Sequence, residues 1–253
     1  MKMFHLFAAG GALIILFLFI PLILVFVFTS PEYIIRYGLD NEAINALFIT
    51  ILSATTSTII LIFLGVPLAY IFSRKDFIGK KFFKALIDIP LVIPHSVVGI
   101  MILLAYNSRS TIGSIFNTLG FRIEDSFWGI VLGMIFVSAP LIIDTVENSF
   151  NSVSRSLENV ARSLGASPFK TFINVTFPLT INGVVTGALL SWARAISEVG
   201  ALLIIAYYPK TINILIIERF YNIGLNAALG TMIPLLVISI LVFLMIRSLA
   251  RRS

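Results

Sequence analysis

The chain has 253 residues, of which only 12% are charged, and a formal net charge of +6; its mean hydropathy is +1.04. So few charges could not cover the surface of a soluble protein of this length, which excludes a water-soluble enzyme or binding module and points to several membrane spans. With no cysteine there is no disulfide, thiolate metal site or thiol nucleophile, and the placement of the basic residues argues for membrane orientation rather than nucleic-acid binding.

The first apolar run covers about residues 4–28. Because Lys2 precedes it, a cleaved secretory signal is the rival reading. The run is longer than a usual signal core, and no small-x-small site precedes Ser30-Pro31-Glu32, so a retained span is expected. The second span covers about residues 44–72, with Pro67 expected to bend its last turns. A basic connection follows, carrying Arg74, Lys75, Lys80, Lys81 and Lys84. The third span, about residues 82–106, opens with Pro90 and Pro94. Two prolines four apart interrupt the hydrogen-bond ladder, so this span is predicted to be bent or discontinuous.

Residues 107–126 form a polar connection with one amphipathic helix, its apolar face made by Ile112, Ile115, Phe116 and Leu119 and its end marked by Gly120. The fourth span covers about residues 127–146. Residues 154–178 then make a long polar connection in which Leu157, Val160, Ala161 and Leu164 fall at i, i+3, i+4 and i+7, one face of a short helix. Gly165 is placed to stop that helix in the left-handed cap conformation. Ser167 and Pro168 open a second short helix faced by Phe169, Phe172 and Ile173. Such a stripe suits a partner's groove or a lipid surface, and spacing does not choose between them. The fifth span is predicted over about residues 181–206, a helical external connection around Ile212, Leu215, Ile216 and Phe220, and the sixth span over about residues 229–246.

Orientation follows from Lys and Arg. With the N-terminus inside, the inner side collects Lys2, the five basic residues after span two, Arg155, Arg162, Lys170, Arg247, Arg251 and Arg252. The outer side holds Arg36, Arg109, Arg122, Lys210 and Arg219. The excess places both termini and the 154–178 connection in the cytoplasm.

Motifs for soluble chemistry are missing. No G-x-x-x-x-G-K-[ST] occurs, so the chain is not expected to hydrolyse ATP by itself; His5 and His95 cannot form an H-E-x-x-H zinc site, and there is no G-x-S-x-G elbow. In span five, Gly183, Gly187, Ser191 and Ala195 recur every four residues and permit close helix approach, either within the chain or across a dimer or pore-side contact. Arg194 and Glu198 lie one turn apart beside them, with Arg194 roughly 20 Å into a ~30 Å core. Charges at that depth must be paired or hydrated. Two readings stand: a mutual ion pair that holds the helix, or an arginine offered to an anion in a pathway and oriented by Glu198.

Three patterns carry a resemblance. The spacing from Gly165 to Val175-Thr176-Phe177-Pro178 resembles the EAA loop of ABC-importer membrane subunits, with Asn159, Val160 and Ala161 at the E-A-A positions and Glu158 one residue earlier. Ala193-Arg194-Ala195-Ile196-Ser197-Glu198-Val199-Gly200-Ala201 resembles A-R-A-x-x-E-F-G-A of oxyanion importers, and residues 90–99 resemble P-x-x-x-P-H-x-x-x-G of archaeal molybdate/tungstate permeases. The resemblance implies an all-α membrane protein with six transmembrane helices, the type I ABC importer permease architecture, and cytoplasmic N and C termini. Residues 1–253 would be one permease domain. Its location would be a prokaryotic, archaeal-type cytoplasmic membrane, spanned in several passes.

It further implies a non-enzymatic transport subunit without a cofactor of its own. The implied partners are a second copy of the chain, two ATP-binding cassette subunits holding ATP and Mg, and an extracytoplasmic oxyanion-binding protein, with molybdate or tungstate as the preferred solute. Leu157, Glu158, Asn159, Val160, Ala161, Leu164, Gly165, Ala166 and Ser167 would couple to the ATPase, and His95, Arg194 and Glu198 are the pathway candidates. An importer of the same build for sulfate or another solute, and an ATP-independent channel or secondary transporter, are the competing readings. Inverted repeats would favour the last, and the sequence has none.

Overall fold

The computed structural model describes residues 2–250; Arg251 and Arg252 lie outside the described residues. Helix α1 (Lys2–Phe28) is an uninterrupted apolar rod. It meets the rest of the chain chiefly along the last helix, so its side chains face outward, as in a lipid-facing span. Helix α2 (Pro31–Tyr33) and a π-helical turn, Ile34–Gly38, lead into α3 (Asn41–Arg74). Asp40 starts α3 by accepting the Ala43 N–H at 2.9 Å, which satisfies one of the free donors of the first turn.

The third span is broken, as Pro90 and Pro94 predict. Helix α4 (Lys80–Asp88) and a 3-10 turn, Ile89–Leu91, meet α5 (His95–Tyr106) at a 117° bend. Helix α6 (Thr111–Thr118) ends at Gly120, whose φ of +84° lies in the left-handed region. Helix α7 (Phe127–Ser152) is the central span. Among the described residues, five helices are long and apolar enough to cross a membrane, and six spans result when the bent pair counts as one.

The 154–178 connection folds as α8 (Arg155–Ser163), a turn through Gly165, and α9 (Pro168–Thr171). The sequence reading separates this second short helix from a fifth span beginning near residue 181; the structure does not. Helix α9 continues through a π-helical turn, Phe172–Thr176, into α10 (Phe177–Ile196). Pro178 has no N–H to donate, and the widened turn ahead of it accommodates the gap in the ladder.

A second correction concerns span five, predicted as one helix to about residue 206. Helix α10 stops at Ile196, and helix resumes as α11 (Leu202–Ile205). The break has tertiary causes. Glu198 Oε1 takes the Ala201 N–H at 2.8 Å, and Asn213 donates to the carbonyls of Ile196 and Glu198 at 2.6 and 3.1 Å. Gly200 packs so closely that a Cβ there would lie 2.7 Å from His95 Cβ. Helices α12 (Ile212–Asn222) and α13 (Leu225–Ala250) complete the chain.

The core lies where α3, α7 and α10 pack together, with α5 and α11 closing the end away from the 154–178 connection. Phe72, Ile142, Val146, Phe150 and Val184 fill the half nearer that connection; Val98, Ile130, Met134, Leu202 and Ile205 fill the other half. Lipid tails are as apolar as these side chains, so close packing rather than water exclusion stabilises the bundle. The small-residue stripe supplies it within the chain. A Cβ on Gly183 would collide with Ser149, one on Gly187 would sit 3.2 Å from Val146 Cγ2, and Ser191 and Ala195 are fully buried.

Candidate functional site

Two polar constellations stand out against this apolar frame, one at the 154–178 connection and one at the paired helix breaks. At the connection, Leu157, Val160 and Leu164 project outward from α8, with Leu164 84% exposed, and Phe169 extends the same apolar surface from α9. Ala161 is half-buried, whereas Asn159, Gly165 and Ser167 are exposed and Ala166 half-buried. The turn is closed by Gly165 N–H to Arg162 O at 2.9 Å and Ala166 N–H to Ala161 O at 3.0 Å, with Gly165 at φ +90°. Ser167 Oγ then receives the Lys170 N–H at 3.3 Å and opens α9.

Glu158 faces the other way. It is buried and accepts from Arg74 Nε at 2.8 Å and Thr176 Oγ1 at 2.9 Å. Arg74 also donates to Val153 O at 3.2 Å, and Arg155 donates to Ser73 O at 3.0 Å. The loop is thus fastened to the end of α3 and to the π-helical turn before α10. Buried ionic and hydrogen bonds join the helix bearing the exposed stripe to two spans. A cavity of about 870 Å³ lies between these parts, floored by Pro67, Tyr70 and Phe172 and edged by Lys75, Arg155 and Arg162.

At the helix breaks, the structure brings all three pathway candidates together. His95 is the first residue of α5, immediately after Pro94; Arg194 is in the last turn of α10; Glu198 lies in the break that follows. Glu198 Oε2 is 2.6 Å from His95 Nδ1 and 3.1 Å from Arg194 Nη2. Arg194 Nη2 lies 2.8 Å from Nδ1 and 2.9 Å from Nε2 of His95, and its Nη1 donates to Ser197 Oγ at 3.2 Å. One tautomer suits these contacts: Nδ1–H donates to the carboxylate and the Nε2 lone pair accepts from Arg194. The Glu198 side chain is 1% exposed, whereas those of Arg194 and His95 are 22% and 41% exposed. The carboxylate therefore sits behind the two donors, which line the open side. Of the two sequence readings, the mutual ion pair is present, and the arginine also keeps an exposed edge.

A third polar cluster escaped the sequence reading, which treated Lys210 and Arg219 only as outer charges. Arg219 is buried and donates to Tyr37 O, to Thr231 Oγ1 at 3.0 Å, to Asp40 at 2.7 Å and to Glu42 at 2.9 Å. Lys210 bridges Glu42 and Glu218 at 2.9 and 2.8 Å, and Tyr207 donates to Glu218 at 2.7 Å. Burial opposes charge on Lys210, but the Glu218 and Glu42 carboxylates outweigh it and hold its pKa above the ordinary lysine value. Burial likewise pushes Glu218 up, and the hydrogen bonds from Lys210 and Tyr207 outweigh that, leaving it below the usual glutamate value. The only sequence signal was Asp40 and Glu42 at the start of a helix, which reads equally well as ordinary capping.

Among the described residues, no group of three or more His, Asp or Glu side chains is arranged to hold a metal ion.

Comparison with known proteins gives a consistent result. A family model described as "Binding-protein-dependent transport system inner membrane component" matches residues 62–253. The chain is 44% identical over 249 residues to the molybdate/tungstate transport system permease protein WtpB of Pyrococcus furiosus, covering 98% of this chain and 95% of the relative. It is 41% identical over 245 residues to the protein of the same name from Pyrococcus abyssi, covering 96% and 94%. Its fold is similar to a chain of a bacterial ABC transporter that imports alginate, with a TM-score of 0.74 at 17% identity, covering 98% of this chain and 96% of that one.

Proposed function

The chain belongs to the family of binding-protein-dependent transport system inner membrane components, and from that membership we propose that it forms the translocation pathway of an ATP-driven importer of molybdate or tungstate. The observation that carries the substrate is near full-length identity to permeases bearing that name. It is supported by a guanidinium and an imidazole on the open side of two broken spans, where an anion can find donors.

In this reading residues 1–253 act as one permease domain with cytoplasmic termini, and two copies enclose the pathway. Two ATPase subunits, which bind ATP and Mg, dock on the inner face. Leu157, Val160 and Leu164 enter a groove of the ATPase, Gly165 sets the turn between α8 and α9, and Asn159, Ala161, Ala166 and Ser167 complete the contact region. Glu158 acts from behind, through Arg74, to carry ATPase closure into α3. An extracytoplasmic binding protein delivers the oxyanion to the outer face, and Arg194 and His95 meet it inside, held by Glu198.

The test is ATPase activity of the complex purified with its partners from native membranes. Stimulation by binding protein loaded with molybdate or tungstate is the expected result. Stimulation by sulfate-loaded protein alone would reassign the solute. A chain that purifies alone and moves solute without ATP would overturn the importer reading.

A further inference from the structure

Glu198 divides its two carboxylate oxygens between different tasks. Oε1 is committed to the fold, because it takes the Ala201 N–H at 2.8 Å and so holds the break between α10 and α11. Oε2 holds no backbone. It faces only His95 Nδ1 at 2.6 Å and Arg194 Nη2 at 3.1 Å, the donors on the open side. Removing Oε2 from those donors would leave the backbone bond in place and uncover a guanidinium and an imidazole N–H together. Ser197, exposed and bonded to Arg194 Nη1, sits at the rim of the same spot.

We propose that Glu198 Oε2 is a tethered stand-in for the transported oxyanion: it neutralises Arg194 and accepts the His95 N–H when the pathway is empty, and yields both donors to a tetrahedral oxyanion as it passes. The proposal rests on the oxyanion reading above and deepens it. The physical reason for such a device is release. A lone arginine at this depth would hold a divalent anion tightly, because little water screens the pair. Conduction requires a site favourable enough to enter and weak enough to leave. A carboxylate that competes for the same donors lowers the affinity and remakes its own bonds as the anion departs. The anion exchanges hydrogen-bond partners only, so no covalent bond forms or breaks. Glu198 is thus a positioning residue for the pathway, acting through Arg194 and His95.

The chain has no cysteine, so Ser197→Cys provides a unique reporter in this subunit of the complete complex. Its labelling is followed with a sulfonate-bearing and an ammonium-bearing methanethiosulfonate. With Glu198 present, millimolar molybdate or tungstate should slow labelling by the sulfonate reagent. Adding Glu198→Gln should raise the sulfonate-to-ammonium rate ratio about tenfold and shift protection to about tenfold lower molybdate, the scale of one close charge in a partly screened site. Glu198→Asp keeps the charge and should leave the ratio near that of the parent. An unchanged ratio and unchanged molybdate dependence in Glu198→Gln would overturn the proposal.

Should Glu198→Gln fail to assemble, the chain with Glu198 decides: protection abolished by Arg194→Gln supports the proposal, and absence of any protection overturns it. A complex stimulated by loaded binding protein but showing neither effect removes this inference alone. A complex stimulated by neither molybdate nor tungstate removes the oxyanion reading with it.

Discussion

Arg219 illustrates how one side chain can organise an entire face. Its donors reach the turn at Tyr37, the start of α3 through Asp40 and Glu42, and α13 through Thr231. Arg219→Ala should lower the stability of the detergent-solubilised protein by roughly 2–3 kcal/mol, the low end for a broken buried pair because Asp40 and Glu42 are partly open to water. Thermal unfolding would check it. The neighbouring Glu218 gives a pH dependence of determinate sign. Its folded pKa lies below the ordinary 4.5, so its contribution is present above that value and is lost as pH falls through the lowered one. Lys210 behaves oppositely: raised above 10.5, it contributes below that pH and loses its contribution only above it. The melting temperature should therefore fall on the acid side below pH 4.5, and Glu218→Gln should flatten that limb by lowering the melting temperature at neutral pH while leaving it close to the parent's in acid.

Among the helices, the two broken spans differ in how far local sequence betrays them. Pro90 and Pro94 announce the α4–α5 break, because proline removes donors wherever it sits. The α10–α11 break has no proline, and residues 193–201 read as ordinary helix by spacing. It is made by Glu198 folding back on Ala201 and by His95 and Asn213 arriving from distant sequence. Such tertiary causes are invisible to periodicity. The same holds for Glu158. Its place beside the apolar stripe suggested an outward role, yet Arg74, 84 residues away, draws it inward. Glu158→Ala should leave Arg74 buried without its partner and cost about 3–5 kcal/mol. In the assembled complex ATP hydrolysis should persist while its stimulation by loaded binding protein is lost. Equal stimulation in variant and parent would show that the ionic fastening carries no coupling. Gly165, by contrast, was legible from spacing alone. Gly165→Pro cannot adopt φ +90°, so the α8–α9 turn should open and coupled transport should be abolished; a variant with normal coupling would refute that role for the turn.

Across the whole molecule, charge and exposed apolar surface are both distributed unevenly between the two ends of the spans. Apolar runs made the spans legible, and the basic residues sorted themselves to the ends of those spans. The structure then places Arg74, Arg155, Arg162 and Lys170 around the loop that bears the exposed apolar stripe. The outer ion-pair network, with Arg219 and Lys210 at its centre, lies beyond the opposite ends of α3 and α10. An anionic membrane surface would attract Arg155, Arg162 and Lys170, whereas Lys210 and Arg219 are already neutralised by Asp40, Glu42 and Glu218. Ser156 and Ser167 flank the stripe, and Ser167 is exposed. Cysteines at these two positions should react with a membrane-impermeant thiol reagent in inverted vesicles and be silent in intact cells. Labelling from outside would reverse the topology, and would place the apolar stripe where no ATPase could reach it.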